Sequence, residues 1–203
     1  RRFIMTFPNE TLPKGRKQKT TSLYDRFIEK GAVMGDSFGL EHVLWFAENK
    51  KNAHENPTFK RSRAHQYIAK EVKAVRTNVG CSEIANFAKH EICGKGAREF
   101  LDYILAGSIP KKGKLCLSPL ISKKGKLIGD LTVACIDESR FLIFGSGAMQ
   151  EYHRRWFESF LPRNNVIYKN CSDNLHGIAI SGPKSRKILE KIYREDISNE
   201  VFK

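Results

Sequence analysis

Long apolar runs are missing from this 203-residue sequence: none approaches the ~18 apolar residues that a membrane-spanning helix needs. Membrane insertion is therefore not expected. Paired cysteines are missing too. Cys81, Cys93, Cys116, Cys135 and Cys171 stand singly, without any CxxC spacing. That excludes a zinc site or disulfide frame and points to reduced, buried thiols in a cytosolic or matrix compartment, with none singled out as a nucleophile. Also absent are an RNP-type aromatic stretch, zinc-finger spacing, a secretory signal and an initiator methionine. The chain opens Arg1-Arg2-Phe3, as the interior of a longer protein would.

Positive charge, in contrast, is plentiful. Thirty-six Lys and Arg against 22 Asp and Glu leave a formal +14, an excess that raises the question of a polyanionic partner. The lysines are spread along loops, as in Lys50-Lys51, Lys111-Lys112-Gly113-Lys114 and Lys123-Lys124-Gly125-Lys126. Such dispersion predicts a well-solvated surface, attractive to a small polyanion, and no specific nucleic-acid recognition. A hydrophobic fraction of 40% and a charged fraction of 29% fit a globular chain of one large domain, or one domain plus a piece of another.

Residues 1–61 read as a loop-rich connector. Pro8, Pro13 and Gly15 punctuate its start, a short helix is expected over 21–30, and Gly31, Gly35 and Gly39 recur without the strand-turn-helix setting of a dinucleotide fingerprint. Phe38, Leu40, Val43, Leu44, Trp45 and Phe46 need a surface to cover. From residue 62 the pattern becomes helical, with Ile68, Val72, Val75 and Val79 on one stripe and Gly80 as the stop. Strands are expected over 87–93, 115–121, 127–134, 141–144, 166–170 and 177–181, and helices over 96–105, 148–160 (stopped by Pro162) and 183–193. A lysine-glycine turn at 123–126 makes a hairpin of the second and third strands. The segments Ile92-Cys93-Gly94-Lys95-Gly96-Ala97-Arg98 and Ile180-Ser181-Gly182-Pro183-Lys184-Ser185-Arg186 are similar strand-to-helix corners. Each serves either as a packing device or as a phosphate-holding helix start. The pattern is that of an α+β fold with a mixed, mainly antiparallel sheet and packed helices.

Asp130 stands out in Leu127-Ile128-Gly129-Asp130-Leu131-Thr132-Val133-Ala134, an apolar strand where carboxylates are depleted. Alternation places Leu127, Gly129, Leu131 and Val133 on one face, and Ile128, Asp130, Thr132 and Ala134 on the other. A carboxylate there faces water, a partner or a ligand, because an unpaired buried charge costs several kcal/mol.

Phe87-Ala88-Lys89-His90-Glu91-Ile92-Cys93-Gly94, Leu117-Ser118-Pro119-Leu120 followed by 125–133, 141–156, and Ile178-Ala179-Ile180-Ser181-Gly182-Pro183 together resemble the N-terminal part of the folate-binding domain of the glycine-cleavage T-protein, an aminomethyltransferase. Gly145-Ser146-Gly147-Ala148-Met149-Gln150, His153-Arg154-Arg155-Trp156-Phe157 and much of residues 16–46 are more similar to the flavin-dependent dimethylglycine and sarcosine dehydrogenases, which carry that domain after their flavin domain. The resemblance implies a division into a linker, 1–61, and an incomplete folate-binding domain, 62–203. It further implies tetrahydrofolate bound in this region, FAD in a flavin domain of the same chain outside it, and transfer of a one-carbon unit from an N-methylamine to the folate. Carried over by position, Asp130 orients the folate and assists proton movement, and Phe87 borders the pterin. Ser146 replaces an asparagine, keeping a hydroxyl in place of an amide, while Ala85 replaces a serine and Ser118 a small hydroxyl residue. The implied location is cytoplasmic in a bacterium and the mitochondrial matrix in a eukaryote. Alternatives implied by the same likeness are a true aminomethyltransferase, a non-catalytic relative such as the regulatory subunit of pyruvate dehydrogenase phosphatase, and the folate-binding RNA-modification or iron-sulfur-repair branch.

Overall fold

A computed structural model describes residues 3, 5–7 and 10–201; Arg1, Arg2 and Pro8, read above, lie outside the described residues. The chain forms two compact units, one from residues 1–84 with 177–203, the other from 85–176.

In the first unit, α1 (Tyr24–Glu29) leads into an antiparallel hairpin of β1 (Ala32–Ser37) and β2 (Leu40–Phe46). The sequence reading had this stretch as loop. Its turn is Phe38-Gly39, both at positive φ (53° and 87°). The turn geometry therefore calls for Asn-Gly or a similar pair, and the phenylalanine at its first central position hides the signal. Glu41 on β2 is 1% exposed and is held by the Arg16 guanidinium, whose Nε lies 2.7 Å from Oε1 and whose Nη2 donates to the Met34 carbonyl. Helix α2 (Ala64–Thr77) packs Ala64 and Tyr67 on Trp45, the Trp45 and Tyr67 rings stacking at 4.9 Å between centroids. The stripe of Ile68 and Val72 expected to face inward is instead 40% and 48% exposed. Gly80 does not cap this helix: Asn78 leaves the helical conformation, and Gly80 opens β3 (Gly80–Glu83), which pairs antiparallel with β9 (Ile178–Ser181) ahead of α5 (Ser185–Tyr193).

The second unit is a five-stranded antiparallel sheet in the order β5 (Leu115–Ile121), β6 (Leu127–Asp137), β7 (Arg140–Ser146), β4 (Phe87–Cys93), β8 (Ile167–Asn170). Two of its strands, 87–93 and 115–121, have the bounds expected from the sequence. Helices α3 (Ala97–Ile104) and α4 (Gln150–Phe160) cover one face, where Phe100, Leu101 and Phe157 meet Ile92, Leu120, Leu131, Val133, Phe141 and Ile143. At the end of α4, Leu161 turns extended ahead of Pro162, whose ring forbids helix in the residue before it.

The two similar corners fold alike, each within its own unit. Gly94 (φ +120°) and Gly182 (φ +117°) leave β4 and β9 in a conformation that side chains rarely adopt. The carbonyl of Asn165 accepts from Gly96 N–H at 3.2 Å, and that of Asn78 accepts from Lys184 N–H at 3.0 Å. An added Cβ at either glycine would collide with those asparagine carbonyls, at 2.1 and 2.5 Å. The corners thus hold backbone in the place where an anion would sit, and their recurrence is a packing device. Asn-Val precedes the paired strand in both cases, Asn78-Val79 before β3 and Asn165-Val166 before β8.

The five cysteines are free thiols; Cys135 and Cys171 are buried as expected, whereas Cys81 is exposed. No helix among the described residues is long and apolar enough to cross a membrane.

Candidate functional site

The second unit's sheet has one face under α3 and α4 and another without a helical cover. Strand β6 alternates accordingly: Gly129, Leu131, Val133 and Cys135 are buried, while Asp130 is exposed and Thr132 and Ala134 are partly so. Asp130 therefore points away from the core. It stands on an interior strand, not at the sheet's edge, and makes no hydrogen bond or ion pair with the described residues.

Strand register decides its neighbours. Asp130 is opposite Pro119 on β5, and Ser146 is opposite Phe87 on β4. Thr132 pairs with Phe144 across β6 and β7, so one step along each strand of the same face brings Asp130 level with Ser146. Pro119, Asp130, Ser146 and Phe87 form a transverse row. Asp130 and Phe87 stand two strand spacings apart, about 10 Å, and Phe87 is 47% exposed. Ser118 is not in this row. It is fully buried on the helix-covered face, where its Oγ accepts a hydrogen bond from the Gly107 N–H at 3.1 Å. Ala85 precedes the strand, and its carbonyl accepts from the Lys89 ammonium at 3.2 Å.

Two residues near the row escaped the sequence reading. Lys89 lies on the open face opposite Phe144, yet is only 3% exposed. Its Nζ donates to the Phe87 carbonyl at 2.8 Å, which ties down the strand end that carries Phe87. Behind the row, His153 of α4 is 1% exposed and packs against β6 and β7 at Gly129 and Gly145. Burial pushes its pKa down, and the nearby Ile128 backbone offsets this only in part. His90, whose ring lies 6.2 Å from that of His153, is lowered to about 4, first by burial and then by repulsion from His153. Both rings are neutral at physiological pH. The legible signal was the pair of glycines, each at a core-facing position directly before a site residue, since glycine in a strand marks the close approach of something bulky.

Chemically the row offers an unpaired carboxylate to accept hydrogen bonds or a proton, a hydroxyl, and an exposed aromatic ring able to cover a flat heterocycle. Among the described residues no group of three or more metal-ligating side chains gathers. Residues 23–203 match the family model described as the GCVT N-terminal domain. The chain belongs to that family. Its match to the mitochondrial dimethylglycine dehydrogenase of Homo sapiens is 30% identical over 98% of this chain and 23% of that protein. An aminomethyltransferase of Staphylococcus epidermidis is 26% identical over 89% of this chain and 45% of its own length. In structure, this GCVT N-terminal domain resembles the glycine cleavage system aminomethyltransferase T from Bartonella henselae. The TM-score is 0.68 at 19% identity, over 86% of this chain and 43% of that one. The α+β fold with mainly antiparallel sheets is thus the fold of that protein. The chain spans less than half the length of each of these relatives.

Proposed function

We propose that this GCVT N-terminal domain is the folate-binding portion of an FAD-dependent N-methylamine dehydrogenase, of the dimethylglycine or sarcosine type, and passes the one-carbon unit to tetrahydrofolate. The observation that carries the reading is Asp130: an exposed carboxylate in mid-sheet, in one row with Ser146 and Phe87. The about 10 Å between Asp130 and Phe87 suits a pterin laid across the strands. Phe87 covers one end of the ring, Asp130 accepts hydrogen bonds from its N–H groups at the other, and Ser146 contributes a hydroxyl between them. When a folate nitrogen attacks the one-carbon unit it must release a proton, and Asp130 is placed to take it through water. Surface lysines add a weak attraction for the glutamate tail.

Residues 1–61 are read as the segment that joins the flavin part of the protein to residues 62–203. The dehydrogenase match spans 98% of the chain and so takes in this segment. The described residues contain no glycine-rich strand-turn-helix for a dinucleotide, so no step of the flavin chemistry is assigned to them. The compartment follows the relatives, mitochondrial matrix in a eukaryote or bacterial cytoplasm. A transferase without flavin is the competing reading, and a flavin content measured on the full-length protein decides between them.

In the full-length protein, Asp130→Ala is expected to leave amine oxidation intact and to release formaldehyde in place of methylenetetrahydrofolate. An unchanged yield of methylenetetrahydrofolate would rule out the role given to Asp130.

A further inference from the structure

The row is backed by an unusual contact. A Cβ added to Gly129 would lie 2.6 Å from His153 Nε2, and one added to Gly145 would lie 2.7 Å from the Leu131 side chain and 3.2 Å from His153 Nδ1. The flat imidazole therefore presses on two neighbouring strands at once, at the residues immediately before Asp130 and Ser146. Both ring nitrogens are buried without a hydrogen bond of good geometry, the Ile128 backbone being the nearest polar partner. An aliphatic side chain would fill the core without stranding two polar atoms, but it lacks a flat profile able to fit between the helix and two bare glycines. His90 on β4 stands edge-on beside the ring and is itself bonded through Nδ1 to the Tyr168 hydroxyl at 2.9 Å, which limits how His153 can turn.

We propose that His153 is a positioning residue for the folate row: wedged behind Gly129 and Gly145, its ring holds β6 and β7 in the alignment that sets Asp130 level with Ser146. The proposal rests on the folate reading above. His153 itself touches no substrate, being sealed beneath the sheet. Small misplacements of binding groups cost affinity steeply, which is why the wedge matters to function as well as to packing.

The test is made in the full-length protein, well below its melting temperature, by measuring tetrahydrofolate affinity. His153→Leu removes the ring but keeps an apolar filling, so Tm is expected to stay close to that of the parent while affinity falls about tenfold. His153→Gln, long enough to reach Gly129 with a flat end, is expected to recover most of that loss. A merely structural role would move Tm and leave the affinity of the folded protein alone. If Asp130→Ala binds tetrahydrofolate like the parent, the folate row fails and this proposal with it. If Asp130→Ala weakens binding while folded His153→Leu binds like the parent, only the positioning role is overturned. Should the leucine variant not fold, His153→Gln is compared with His153→Asn, which is too short to reach Gly129. Weaker binding by the asparagine variant alone supports the wedge, and equal affinities overturn it.

Discussion

Mild acid is expected to destabilise the second unit through its buried imidazoles. His90 is completely buried, and its pKa is lowered from 6.5 to about 4 by burial and by the neighbouring His153. In the unfolded chain it returns to about 6.5. Between these values the unfolded state binds the proton and the folded state does not, so stability is fully present above pH 6.5 and is lost as the pH falls toward 4. By about pH 4.5 the linkage amounts to about 2.5 kcal/mol for His90 alone. That is a large share of the 5–15 kcal/mol typical of a domain. His153, lowered by burial as well, adds in the same direction. The measurement is urea unfolding from pH 7 to about pH 4.5, followed by the fluorescence of Trp156 in a Trp45→Phe background. The sequence has two tryptophans, and Trp156 belongs to the second unit. His90→Gln removes the titration and keeps an amide partner for the Tyr168 hydroxyl. Carboxylates that titrate in the same range are common to both proteins and cancel in the difference. The parent should lose about 2.5 kcal/mol more than His90→Gln over this span; parallel curves would refute the assignment of neutral, buried imidazoles.

Gly94→Ala is expected to cost about 3 kcal/mol or more, because it combines a φ of +120° with a Cβ only 2.1 Å from the Asn165 carbonyl. A Tm within a degree of the parent would contradict this. Arg16→Gln leaves the 1% exposed Glu41 without its guanidinium, and thermal unfolding of the first unit should report a loss of about 3 kcal/mol. Replacing Asp130 by threonine should keep or raise stability, by up to about 1 kcal/mol, since a β-branched residue suits a strand and the carboxylate has no described partner to lose. A clear destabilisation by Asp130→Thr would mean that the carboxylate holds the fold and not a ligand.

Much of the second unit was legible because its strands obey simple rules. Residues 87–93 and 115–121 are short runs of strand length, bounded by Gly94 and by the lysine-glycine turn at 123–126, and appear in the structure with those bounds. Where rules compete, the sequence misleads. The β1–β2 hairpin was hidden by Phe38 in a turn position that demands positive φ, and α2 turns Tyr67 inward, where its ring stacks on Trp45, leaving Ile68 and Val72 exposed. Long-range pairing is beyond any local pattern. Alternation places Asp130 on the face opposite Leu131, but only the register of four strands makes a row of Asp130, Ser146 and Phe87 and leaves Ser118 on the other side.

The same register explains why the carboxylate is tolerated in mid-strand. Side chains on the two faces of β6 answer to different demands. Leu131, Val133 and Cys135 are packed by α3 and α4, which by themselves specify the strand's register and leave the opposite face free of any duty in folding. At Asp130 that freedom is used for a residue that β-propensity disfavours. Directly before it the core side gives up its side chain as well, Gly129 making room for His153, and on the next strand Gly145, before Ser146, makes room for Leu131 and His153 together. Two neighbouring departures from good strand sequence, both bordered by one histidine, are what a site demands of a sheet and what packing alone would have removed.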